Sequence, residues 1–99
     1  MRLWTVTISH QASKGIRKLP KAIQEIFAVL ALELEKLGPE RVTWKNYGKL
    51  KKDKTIPSNS YHCHLKKGRP TYVACWRVSD QSNRLIEIFY VGTHEKAPY

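Results

Sequence analysis

Three of the four histidines stand where an imidazole can do proton-transfer chemistry. His62 and His64 are two residues apart in Ser60-Tyr61-His62-Cys63-His64-Leu65, and His94 follows Gly92-Thr93. In an extended chain, residues two apart project to the same side, roughly 6.5–7 Å from one another. That separation brackets a phosphodiester. RNA carries its own nucleophile, the 2′-hydroxyl: a base removes that proton, an acid protonates the leaving 5′-oxygen, and cations neutralise charge on the phosphorane. Imidazole, with an ordinary pKa of about 6.5, serves either transfer, and the scheme needs no metal or other cofactor. His64 and His94 are the expected acid/base pair, with His62 as a third member and His10 as a surface residue. Two other readings compete for these atoms. A His-x-His pair is also what an ordinary polar sheet face carries. His62, His64 and His94 with water or Glu95 would make a four-coordinate zinc site, which a cationic neighbourhood without nearby acids disfavours.

The charge around the histidines favours the phosphodiester reading. Eighteen Lys+Arg against eight Asp+Glu give a formal +10 over 99 residues. Residues 41–77 hold ten of the cations and a single acid, Asp53, net +9. Self-repulsion on that scale points to a polyanionic partner, and a merely solubilising surface would intersperse acids. Lys49, Lys51, Lys52 and Lys54 read as a phosphate grip, which adds affinity without reading sequence. Lys66, Lys67 and Arg69 are placed to hold phosphates or stabilise the transition state. Tyr99, Tyr47 and Trp44 are candidates for stacking on bases. Cys63 and Cys75 fall inside apolar patterns without CxxC spacing, which implies reduced core cysteines and a cytoplasmic, reducing compartment. The longest apolar run, Ile26–Leu32, is far short of the ~20 residues that span a bilayer, and the opening Met1–Thr7 stretch has no signal-peptide core.

The elements that must position these residues are legible from periodicity. Leu3–Ser9 alternates Trp4, Val6 and Ile8 with Thr5, Thr7 and Ser9, the pattern of a strand. Gln11–Leu19 reads as a short basic helix capped by Ser9 or Ser13. Pro20 breaks it and opens a second helix over Lys21–Leu37, where Ile23, Ile26, Phe27, Leu30, Leu34 and Leu37 form one stripe ended by Gly38-Pro39. Residues 40–58 are loop-like, with a possible short strand at Lys49–Lys51. Strands follow from Ser60 and over Thr71–Ser79 and Arg84–Val91, too closely spaced to be anything but antiparallel. Tyr61, Cys63, Cys75 and Trp76 belong to the core of this arrangement. The fold class is α+β: a strand, a helical hairpin and a three-stranded meander in one 99-residue domain.

The order of elements, with Lys18-Leu19-Pro20-Lys21, Gly48-Lys49-Leu50, the Ser60–Leu65 string and Val91-Gly92-Thr93-His94-Glu95, resembles the RelE/ParE superfamily of bacterial toxins over nearly the whole chain. The last string resembles the RNA-cleaving branch that uses histidines. The resemblance implies an mRNA interferase that blocks translation by cutting mRNA in the ribosomal A site. It also implies a cognate antitoxin, acidic and partly disordered by charge complementarity, with operator DNA reached only through that complex. By the same resemblance the functional positions fall on His62, His64, His94 and the tail aromatic Tyr99, and the Lys49 stretch grips RNA. Two departures stand out. The arginine that RelE has in its third strand is replaced by Tyr72 or Val73, leaving Arg69 in the preceding turn as the nearest guanidinium, and histidines occupy positions where RelE has lysines. The ParE branch offers the alternative of a non-catalytic gyrase inhibitor or a module that binds antitoxin and nucleic acid.

Overall fold

A computed structural model describes residues 3–99. The chain runs β1 (Thr5–Ile8), α1 (His10–Arg17), α2 (Lys21–Leu37), β2 (Gly48–Leu50), β3 (Ser60–Lys66), β4 (Tyr72–Asp80), β5 (Leu85–Thr93) and a short 3-10 turn over His94–Lys96. The strands form one five-stranded sheet in the order β1-β5-β4-β3-β2. Only β1 and β5 are parallel, paired from Thr5↔Leu85 to Ile8↔Ile88. The expected three-stranded meander is therefore the centre of a wider sheet: β1 flanks β5 at one edge, and the chain crosses through both helices to Gly48–Leu50 at the other. Among the described residues no helix is long and apolar enough to cross a membrane.

Helix α2 has its expected bounds, and α1 begins at His10 and ends at Arg17 in place of the expected Gln11–Leu19. Ser9 is the cap of α1, its hydroxyl accepting from the Ala12 amide at 3.1 Å, which satisfies one of the free donors of the first turn. His10 is consequently the first, exposed residue of that helix. Leu30 and Leu34 are fully buried and Ile23 and Phe27 nearly so, whereas Leu37, at the end of the expected stripe, is 64% exposed. Ile8 likewise stays 44% exposed, because β1 is an edge strand and α1 turns away immediately after it.

The core is a single layer between the helices and one face of the sheet. Trp76 is fully buried there, and its indole nitrogen donates to the Pro39 carbonyl at 3.1 Å. Tyr47, Tyr61 and Trp76 form a mutual cluster, their ring centroids 6.0–6.3 Å apart. Burial of each such large side chain contributes about 1.5–3 kcal/mol. Glu33 on α2 accepts from Trp44 Nε1 at 2.9 Å and from the Arg41 guanidinium at 3.2 Å, while Arg41 also donates to the Gly38 carbonyl that ends the helix. Trp44 thus fastens the 39–47 loop to α2, and Tyr47 packs it against Tyr61 and Trp76.

Alpha1 lies against the outer edge of β5 beyond the point where β1 stops. Gly15 makes that approach possible: a β-carbon there would sit 2.0 Å from the Val91 carbonyl oxygen. On propensity alone, replacing a helical glycine by alanine gains up to about 1 kcal/mol. Gly15→Ala should instead lose roughly 1–3 kcal/mol, the cost of overpacking against rigid backbone, seen as a lower urea midpoint. A midpoint that stays or rises would contradict this packing.

Candidate active site

Alternation along β3 sorts its side chains between the two sheet faces. Cys63 and Leu65 are buried in the core, so His62 and His64 must project from the opposite face. Registry fixes the neighbours: His62 pairs with Cys75, His64 with Val73, and these in turn with Tyr90 and Gly92. Cys75 is therefore buried on the histidine side of the sheet, a correction to its assignment beside Cys63 in the core. The two cysteines are free, and burial pushes both thiols up to about 12. Neither is a nucleophile at neutral pH.

Backbone contacts outside the regular ladder fix the positions of the two histidines nearest the open end. The His64 amide donates to the Lys45 carbonyl at 2.8 Å, so the loop that Glu33 fastens to α2 also holds β3 at this point. The His94 amide donates to the Thr71 carbonyl at 2.8 Å, one step beyond the Tyr72↔Thr93 pair. His94 thereby arrives beside β3 from the far end of β5. The His64 and His94 rings stand edge to face with centroids 5.5 Å apart. Tyr99 folds back onto the same face, 4.4 Å from the His62 ring and 5.6 Å from that of His94. All four sequence-predicted ring residues are brought together.

An open cleft of about 690 Å³ is lined by His64, Arg69, Thr71, His94 and Glu95 with Gly68 and Pro70. Arg69 reaches it because Thr71 Oγ1 closes the turn, donating to the Gly68 carbonyl at 3.0 Å and accepting from the Gly68 amide at 3.2 Å. His62 and Tyr99 do not line the cleft. They form a deeper layer behind it, with His62 Nδ1 and the Tyr99 hydroxyl both buried and without a protein partner. Burial, followed by the His64 and His94 charges, lowers the His62 pKa from its ordinary value. His64 is lowered by burial first, then by His94 and Lys67. Burial also raises the Tyr99 hydroxyl well above the usual phenol range. Burial and the neighbouring imidazoles are common to both shifts, and Lys67 adds to that of His64.

The lysines divide by location. Lys66 and Lys67 are exposed at the end of β3, beside the cleft. Lys51, Lys52 and Lys54 are exposed on the 51–59 loop. Asp53 organises that loop: its carboxylate accepts from the Thr55 amide at 2.7 Å, the Thr55 hydroxyl at 3.0 Å and the Ile56 amide at 2.9 Å. The one acid of the basic segment is a loop-building residue. Lys49 is the exception to the grouping. It pairs with Tyr61, and Gly48 with His62; a β-carbon on Gly48 would lie 3.1 Å from His62 Nε2. Lys49 therefore takes the Tyr61 face, away from the imidazoles, which corrects its expected place in a grip beside them. Sequence reasoning missed Lys45 and Thr71, whose backbone carbonyls hold His64 and His94 and carry no side-chain signal. Among the described residues no group of three or more His, Cys, Asp or Glu side chains is arranged to hold a metal ion.

No family model matches the chain, and no curated protein matches it. Solved structures do. A chain of the toxin–antitoxin complex RelBE2 from Mycobacterium tuberculosis superposes with a TM-score of 0.66 and 22% identity, covering 93% of this chain and 99% of that one. A chain of the archaeal RelE–RelB complex from Pyrococcus horikoshii OT3 gives 0.64 and 21%, covering 95% and 98%. The α+β architecture is that of RelE structures.

The two depressed imidazoles make stability depend on pH. Their folded pKa values lie below the unfolded value of about 6.5, so the unfolded chain takes up protons first. This contribution is present above about pH 6.5 and is lost as pH falls through the folded values. The thermal midpoint should drop between pH 7.5 and 5, and drop less in His62→Asn. Equal slopes in the two proteins would contradict the neutral, buried seat of His62.

Proposed function

We propose that the chain is a RelE-like toxin that cleaves RNA through its 2′-hydroxyl, using His64 and His94 across the cleft as the proton-transfer pair. The observation that carries this reading is the edge-to-face approach of these two rings, 5.5 Å between centroids, in a cleft that also takes the Arg69 guanidinium. A phosphodiester seated in the cleft meets the two adjoining imidazoles, with the guanidinium at the phosphate. His64, its pKa lowered by burial and then by His94 and Lys67, is the base that accepts the 2′-hydroxyl proton. That leaves His94, exposed at the start of the 3-10 turn, as the acid for the leaving 5′-oxygen. Arg69, with Lys66 and Lys67 alongside, neutralises the phosphorane.

His62 and Tyr99 have a different part in this reading. They stand behind the reacting pair, and the His62–Tyr99 contact at 4.4 Å holds both the tail and the His94 ring against the sheet. Tyr99 reaches the reaction as a wall of the site. Lys51, Lys52 and Lys54 hold the RNA backbone further along. The substrate we propose is mRNA on the ribosome, where a positioned single strand would present its backbone to the cleft, and the setting is the cytoplasm. The two fold relatives are chains of complexes named for a toxin and its antitoxin. With a formal charge of +10, a cognate acidic antitoxin is the complementary inhibitor, and any contact with operator DNA would run through that complex.

Replacing His64 and His94 singly by glutamine should reduce mRNA cleavage on translating ribosomes by about 10²-fold or more each, the usual worth of a positioned acid or base, and abolish growth arrest. His62→Gln should cost less than either. Full cleavage by both His64→Gln and His94→Gln would overturn the assignment and favour a toxin that only binds its target.

A further inference from the structure

A second cleft, of about 460 Å³, lies between α1 and the ends of β4 and β5. Its walls are one stripe of α1, namely Gln11, Lys14, Gly15 and Lys18, and the ends of β4 and β5 with Tyr72 and Thr93; Lys96 closes it. The spacing of the α1 residues, by three and four, puts them on a single helix face. Gly15 lets that face press on the β5 backbone, which sinks the cleft between two lysines. No acidic residue lines it. Among the described residues the ion pairs are Arg41–Glu33 and Arg77–Glu87, so Lys14, Lys18 and Lys96 stand in neither.

The two clefts are neighbours by chain connectivity. Thr71 and His94 line the first, and Tyr72 and Thr93 line the second. One residue step on each strand, about 3.8 Å between α-carbons, separates them. We propose that the second cleft is a subsite for the RNA segment that flanks the scissile bond, with Lys14, Lys18 and Lys96 on its phosphates and Tyr72 as an aromatic wall. This rests on the reading of the first cleft as an RNA site. A strand leaving the first cleft on this side meets three ammonium groups and an aromatic ring, the combination that holds single-stranded nucleic acid without sequence readout. An acidic peptide shares the charge but gains nothing from the adjoining reaction centre.

The test is binding of a short fluorescent single-stranded RNA to protein carrying His64→Gln, which separates binding from cleavage. Lys14→Gln/Lys18→Gln is compared with Lys21→Gln/Lys36→Gln, which removes equal charge from exposed sites on α2. The α1 pair should weaken RNA binding roughly 3–10-fold at about 0.1 M salt. It should also lower the slope of log affinity against log salt by about 0.7 for each phosphate no longer neutralised, with the α2 pair changing the slope by less than half as much. Equal effects of the two pairs, or none, overturn the proposal. So does an α1 pair that weakens binding of an acidic peptide and leaves RNA affinity intact. Cleavage is measured separately on the protein with native histidines. If that protein cuts no RNA while the lysine effect persists, the nuclease reading fails and the subsite stands.

Discussion

The arrangement depends on the pairing register between β3 and β4. With Cys63 and Leu65 on the core face, His62 and His64 have no choice but the other one. A slip by one residue would turn every side chain of β3 over, burying two imidazoles under α2 and exposing Cys63 and Leu65. Buried Cys63 and Leu65 on β3, with Ala74 paired to Cys63 and Trp76 to Tyr61 on β4, make that slip prohibitive. The hydrophobic core thus fixes the direction in which the polar side chains face. Pairing continues from β4 to β5 through two register shifts and ends at Tyr72↔Thr93, which brings His94 out beside His64.

Around this frame the site is assembled in two depths. Near the surface, two imidazoles and a guanidinium surround an open cleft; beneath them, His62, Tyr99 and Cys75 make a drier layer. Burial lowers the pKa of both His62 and His64. The excess cationic charge lies on the loops, with Lys67 and Arg69 beside the cleft and Lys51, Lys52 and Lys54 further off. Asp53 belongs to the basic segment as a builder, since its Oδ1 accepts three hydrogen bonds that shape the loop displaying its lysine neighbours.

Much of this was legible from the sequence because the strongest signals are periodic. The stripe in Lys21–Leu37 and the alternation in Ser60–Leu65 both describe burial, and burial decides the core. The β1–β5 pairing was not legible: parallel partners 80 residues apart leave no local mark, and the two-residue period of β1 says which face is apolar, not which strand it joins. Trp44 and Tyr47 were ambiguous for a related reason. An aromatic in a basic loop packs or stacks on a base with equal ease, and the deciding partner, Glu33, lies on another element. Lys49 was misplaced because a three-residue strand has too few residues to reveal its face. The convergence of His94 on His64 rests on the Thr71 carbonyl, and a backbone group has no residue type to read.

In the proposed chemistry the RNA's own 2′-hydroxyl attacks the phosphorus and imidazoles move the protons. The identity of the RNA ends after cleavage in the presence of EDTA decides whether that is so. Transphosphorylation at the cleft predicts a 2′,3′-cyclic phosphate on one fragment and a 5′-hydroxyl on the other. Fragments ending in a 5′-phosphate and a 3′-hydroxyl would contradict it, because water and not the ribose would then have been the nucleophile.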